Sequence, residues 1–210
     1  MAGDPGDRAG ALLPAHARLV SLSAAIAAGD APGTAHHAAE ALREGAPPDA
    51  VYETLLQSYL FLGFPRAIEA FIAAKPVLAR HGAHRDKAEP VDPAAWLHAG
   101  ESLCRRVYGR NYVKLMATMR DLSPDLASWM ILEGYGKTLS RPGLDAVTRE
   151  YCVVAILATT RMWRQLRSHA IGAIHVGGTR AGVREAIALC APVAGDEVAR
   201  EALHAAGLEA

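Results

Sequence analysis

The sequence predicts an all-α protein. Three observations carry that reading: Ala, Leu, Arg and Glu are abundant, apolar residues recur at spacings of three and four, and no segment alternates apolar and polar residues as a half-buried strand does. At 210 residues the chain is long enough to bury a proper core without disulfides or metals.

Taken in order, helices are expected over 11–28, 34–44, 48–62, 65–74, 94–107, 110–120, 123–136, 145–161, 163–176, 180–193 and 195–206. The first contains "LVSLSAAIAAG" (19–29), which looks like the core of a signal peptide, but acidic Asp4 and Asp7 precede it and no stretch approaches transmembrane length. The second carries His36 and His37 and ends before Gly45, where a left-handed residue costs least without a Cβ. "LLQSYLFLGFPRAI" in the third and fourth is apolar and aromatic. Tyr59, Phe61, Phe64 and Phe71 either line a pocket or bury a helix seam, with core packing the stronger assignment.

Pro- and charge-rich "KPVLARHGAHRDKAEPVDP" (75–93) reads as a linker with room for one short helical turn. "RRVYGRNYVKLM" is read as an amphipathic helical pair with Tyr108 and Tyr112 packing inward. "EGYGKTLS" holds only the end of a phosphate-loop pattern, with no preceding strand and no correctly spaced first glycine. The eighth helix is the apolar run "YCVVAILATT"; the ninth carries His169 and ends before Gly177; the last two form a hairpin closed by Gly195.

Lys plus Arg and Asp plus Glu both number 22, with no long block of one sign, so the chain carries no electrostatic footprint for nucleic acid or a membrane surface. The expected partner is a small molecule or another protein. Cys104, Cys152 and Cys190 lie far apart and form no C-x-x-C. That argues against a disulfide framework, a zinc knuckle or a dithiol redox centre, and fits a reducing cytoplasm. His81 and His84 in "HGAH" have a spacing that can touch a metal, but no acidic or cysteine ligands accompany them at helical spacing, so no metal site is assigned.

An offset of 132 residues, without a gap, aligns His37 with His169, Gly45 with Gly177, Val51 with Val183, Glu53 with Glu185, Gly63 with Gly195 and Glu69 with Glu201. The same offset lays "LVSLSAAIAA" over "YCVVAILATT", so the apparent signal peptide becomes the counterpart of a buried helix. Three segments follow: a shorter first copy over 1–75, a linker over 76–93 and a full unit over 94–210.

"EGYGKTLSRPGLDAVTREYCVVAILATT" followed by "RQLRSHAIGAIHVGGTRAGVREAI" resembles the carboxymuconolactone decarboxylase family, which includes the alkylhydroperoxidase D-like proteins. The likeness runs from about Trp96 to the C-terminus and is strongest at "RPGLD", Arg149-Glu150, His169, Gly177 and Val183 to Glu185. The first block, from "HHAAEALREG" to the G-x-P-x-A of "GFPRAIEAF", is similar to the same family's histidine helix and hairpin ending. The resemblance implies an all-helical fold with an internal repeat, assembled as homo-oligomers, trimers or hexamers, with sites near subunit contacts.

The family's peroxidase branch uses C-x-x-C-x-x-x-H. Counted back from His169, the cysteine positions hold Met162 and Gln165; from His37 they hold Asp30 and Gly33. None of these yields the thiolate that such redox work requires, so a thiol peroxidase is rejected. Glu150 and His169 do match that branch's glutamate and histidine. If their helices pack together through the short turn between them, the carboxylate orients the imidazole and favours its protonated form, giving a general acid.

The decarboxylase branch implies a reaction that suits such a pair without a metal or organic cofactor. His169 would hand a proton to carbon after CO₂ leaves, and Arg141, Arg149 or Arg167 would grip substrate carboxylates, with a solvated or interface role the stronger assignment for each arginine taken alone. The first copy has Arg18 where Glu150 aligns, which makes it a scaffold half. Two alternatives stay open. Glu150 and His169 are equally a structural tie between helices in a non-catalytic or ligand-binding scaffold, and the same residues suit a different cofactor-free isomerase or cyclase.

Overall fold

The structure, a computed structural model, describes residues 12–82, 85 and 87–209, and among these every regular element is helical. The chain forms two compact units. One joins Met1–His84 to Gly143–Ala210 and the other is Arg85–Pro142. This division differs from the expected 1–75, 76–93 and 94–210, because the second half of the repeat shares its body with the first half and not with the residues just before it.

In the larger unit the order is α1 (Pro14–Ala28), α2 (Ala31–Arg43), α3 (Pro48–Gln57) and α4 (Tyr59–Arg80), then α8 (Ala146–Thr159), α9 (Trp163–His175), α10 (Arg180–Ala188), α11 (Ala191–Ala194) and α12 (Asp196–Ala206). The bounds recur at the 132-residue offset: 14–28 maps onto 146–160 and 31–43 onto 163–175. The turn glycines follow suit, Gly45 (φ 92°) with Gly177 (φ 112°) and Gly63 (φ 76°) with Gly195 (φ 92°). Even the left-handed C-cap of α1, Gly29 (φ 76°), is matched after α8 by Arg161 (φ 57°), the only non-glycine residue with positive φ among those described.

The reason for the shared body lies in α1 and α8. Every residue from Leu19 to Ile26 is buried, and so is every residue from Thr148 to Ala158. A helix apolar all round must be covered all round. α2 covers one side of α1 and α9 one side of α8, and the two central helices cover each other. Each fully buried Leu, Ile or Val in this seam contributes about 1.5–3 kcal/mol relative to exposure.

Helix α4 departs from expectation at both ends. It opens at Tyr59, breaks at Gly63 and then continues through Pro76 to Arg80, five residues into the expected linker. Ala74 and Leu78, one turn apart, are both buried, and keeping them in the core outweighs the single helical bond that Pro76 cannot make. His84 of the "HGAH" pair lies outside the described residues.

The smaller unit contains α5 (Pro93–Tyr108), a 3₁₀ turn (Gly109–Asn111), α6 (Tyr112–Leu122), α7 (Pro124–Trp129) and a π-helical segment (Met130–Leu139). Asp92 caps α5 through the Ala95 amide and Ser123 caps α7 through the Leu126 amide, which sets both helix starts. Tyr112 is buried beneath the Arg105 guanidinium and Tyr135 meets Tyr108 edge to face, so the inward tyrosines are as expected for Tyr112, with Tyr108 half-buried. α5 and the π-helical segment meet backbone to backbone at Gly100 and Gly136. A Cβ at Gly136 would lie 2.1 Å from the Trp96 carbonyl oxygen, and one at Gly100 would lie 2.2 Å from that of Ile131.

No helix among the described residues is long and apolar enough to cross a membrane. Because backbone atoms cannot swing aside as a side chain does, Gly136→Ala is expected to cost about 1–3 kcal/mol, read as a lowered thermal midpoint. An unchanged melt would show that the contact is looser than described.

Candidate functional site

The site is built on the first turns of α8 and the middle of α9. Asp145 caps α8, accepting from the Thr148 amide at 3.0 Å and from the Thr148 hydroxyl at 2.7 Å. That cap fixes where the second turn, with Arg149 and Glu150, begins. Residues 160–162 then reverse the chain into α9, which carries Leu166, His169, Ala170 and Ala173 on its buried face.

This packing brings Glu150 and His169 together. Glu150 Oε2 lies 2.8 Å from His169 Nδ1, and the two residues are only 4% and 7% exposed. Phe61 from α4 presents its ring to the imidazole at 85°, with centroids 5.7 Å apart. A carboxylate on Nδ1 holds the ring in one orientation, supports an imidazolium when the ring is charged, and leaves Nε2 as the nitrogen that Glu150 does not occupy. Of the aromatic residues singled out in and after "LLQSYLFLGFPRAI", Phe61 supplies one wall of the pair, while Tyr59 packs on Phe64, Phe71 packs on Tyr52 and Phe64 is exposed, a placement that only the tertiary fold decides.

The three arginines expected to grip a carboxylate go elsewhere. Arg149 is 2% exposed and is spent on structure. Its Nε donates to the Leu144 carbonyl at 3.1 Å, Nη1 to Gln57 Oε1 at 3.3 Å, and Nη2 to Glu53 Oε2 at 3.0 Å. The correction has a plain cause: adjacent residues on a helix diverge by about 100°, so with Glu150 facing α9, Arg149 faces α3. Arg167 is exposed on α9, two residues and about 200° from His169. Arg141 belongs to the smaller unit, where it pairs with Glu89 at 3.6 Å.

Glu53 and Gln57 were not singled out for this role, although Glu53 was half of a repeat match. Its counterpart Glu185 does a parallel job, its Oε2 accepting the Leu12 amide at 2.7 Å. Each glutamate therefore secures the entry to the central helix of the opposite half. Gln57 is fully buried and its Nε2 has no hydrogen-bond partner among the described residues.

The first half holds no equivalent pair. Arg18, in the position of Glu150, turns toward Glu40 at 3.9 Å, and His37 Nδ1 is buried without a hydrogen-bond partner among the described residues. Burial, then the neighbouring His36 and Arg18, push the His37 pKa below its ordinary value, so the ring is neutral at neutral pH. The cysteines sit in the apolar interior. Burial pushes the Cys152 thiol up to about 11 and the Cys190 thiol up to about 12, well away from thiolate chemistry. No group of three or more His, Cys, Asp or Glu able to hold a metal ion occurs among the described residues.

An all-helical body whose elements recur at a fixed offset, with a glutamate and a histidine joined across the second copy, defines the class. The chain belongs to the carboxymuconolactone decarboxylase family, whose model matches residues 5–76 and 124–207. A curated relative is the 4-carboxymuconolactone decarboxylase of Acinetobacter baylyi, 28% identical over 101 residues, which cover 48% of this chain and 75% of the relative.

Removing one partner of the Arg149–Glu53 pair strands a buried charge. Arg149→Ala is expected to lose about 3–5 kcal/mol in chemical denaturation, and the double variant Arg149→Met with Glu53→Leu to recover most of it. Equal losses in the single and double variants would contradict the pairing.

Proposed function

We propose that this chain is a cofactor-independent lyase that decarboxylates a small carboxylated lactone or a related enolisable acid in the cytoplasm. The observation that carries the reading is the buried 2.8 Å contact between Glu150 and His169. Family membership and the name of the Acinetobacter baylyi relative support it.

In this reaction the bond between the carboxylate and its carbon breaks, CO₂ departs, and the electron pair delocalises into the lactone system. His169, protonated, delivers its Nε2 proton to carbon, while the carboxylate of Glu150 stabilises the imidazolium before transfer. Phe61 and the apolar face of α9 exclude water from the ring, which strengthens the Glu150–His169 interaction. Arg149, committed to Glu53, takes no part in gripping the substrate carboxylate.

A homo-oligomer, trimer or hexamer, goes with this reading. Phe64, Ile68 and Ile72 recur every four residues along α4 and leave an apolar stripe exposed.

The test is turnover of 4-carboxymuconolactone and a panel of carboxylated lactones, followed by CO₂ release. The intact chain is expected to turn one of them over, and His169→Asn and Glu150→Gln to lower kcat by about 10²–10⁴-fold while remaining folded. Full turnover in either variant would overturn the assignment. Loss of stability in His169→Ala, with no acid consumed by the intact chain, would instead make the pair a structural tie.

A further inference from the structure

The internal repeat allows one half of the larger unit to be used as a template for the other, and one difference between the halves lies away from the Glu150–His169 pair. In the second half, Tyr151 runs along the groove beneath the turn after α9. Its hydroxyl accepts the Thr179 amide at 2.9 Å. Gly178 and Gly182 make room for it, since a Cβ at either would come within 2.7 and 2.3 Å of the phenol oxygen. Val147 lies under the same turn, its Cγ2 3.8 Å from where a Cβ on Gly177 would be.

At the 132-residue offset, Tyr151 becomes Leu19, Val147 becomes Ala15 and Thr179 becomes Pro47. The first half has therefore lost the ring, a valine and the amide that the hydroxyl used. What stands there is a cavity of about 380 Å³, lined by these same residues and by Ala46 and Ala50, the counterparts of Gly178 and Gly182. That volume lies within the range of small-molecule sites. Glu150 and His169 are not among its lining residues.

The polar groups of the cavity decide what fits. His16, Glu44 and Asp145 reach its wall, and Pro47 brings no amide hydrogen. Glu44 is already paired with Arg43 at 2.8 Å. Asp145 accepts from the Thr148 amide and hydroxyl, one bond on each oxygen, and His16 Nδ1 lies 3.5 Å from Thr148 Oγ1. The second lone pair on each Asp145 oxygen and the Nε2 of His16 are what meet a ligand. Carboxylates favour a ligand that donates a hydrogen bond and repel one that brings its own negative charge. The remaining walls, Leu13, Leu19, Ala46, Ala50 and Leu144, are apolar.

We propose that this cavity is a binding site for a small, neutral, single-ring phenol, which takes the space that the Tyr151 side chain fills in the other half. The site is separate from the Glu150–His169 pair. Its ligand differs in charge from the carboxylated acids assigned to that pair, so it is not a second substrate site.

The experiment uses the full chain and p-cresol, which is the tyrosine side chain as a free molecule, with benzoate as the anionic control. Titration followed by NMR of the methyl groups is expected to give saturable p-cresol binding with Kd on the order of 1 mM, shifting the Leu19, Ala46 and Ala50 methyl signals. Benzoate should bind at least ten-fold more weakly. Ala50→Leu fills the cavity from its floor and Ala15→Phe from its half-buried rim, where folding is least disturbed; each is expected to weaken p-cresol binding at least ten-fold. The proposal is overturned by no saturable binding, by binding unchanged in folded Ala15→Phe, or by benzoate binding as tightly as p-cresol.

Discussion

Two helices that are buried on every side along most of their length need more cover than one neighbour each can give, and the larger unit follows from that constraint. α1 lies against α2 and α8 against α9, and each central helix buries a large further part of its surface on the other, with α3 and α4 adding cover to α1 and α10 and α12 to α8. The halves of the repeat are thereby parts of one core. The glutamates that match across the repeat reinforce this, Glu53 by receiving Arg149 from the opposite half and Glu185 by receiving the backbone that leads into α1.

The same constraint positions the chemistry. With α8 fully enclosed, Glu150 has no path to solvent along its own helix and must find a partner within the interior. His169 on α9 supplies it, and Phe61 from the first half closes over the ring. The site is thus assembled from both halves although only the second carries the pair. The first half has Arg18 in place of the carboxylate and a neutral, half-buried His37 whose Nδ1 is buried. It also lost the tyrosine that wedges the second half, leaving a cavity in its place. The two halves share a frame and have diverged at their interiors.

Much of this was legible in the sequence. Helical periodicity placed most elements to within a few residues, α4 and the division of 180–193 into α10 and α11 excepted, and the gapless offset between His37 and His169 anticipated helix bounds and turn glycines. Glu150 and His169 were legible as a pair through the family resemblance, and the one short turn between their helices made the contact feasible. What escaped were long-range choices. The grouping of 143–210 with the first 84 residues depends on which apolar helix covers which, and periodicity states only that a face is apolar. Arg149 was read as a substrate ligand because its charge was visible and its partner Glu53, 96 residues away, was not. The last turn of α4 was assigned to the linker because the Pro- and charge-rich composition of 75–93 is visible in sequence and the burial of Ala74 and Leu78 is not.

Native-state hydrogen exchange of the full chain tests the shared core most directly. In the intact protein and in Leu22→Ala, which removes a fully buried side chain from α1, amide protection is compared between α1 and α8. A single core predicts that protection falls in both helices by the same amount, about 2–5 kcal/mol. A fall confined to α1, α2 and α3, with α8 protected as before, would show that the halves are independent and would contradict the shared core.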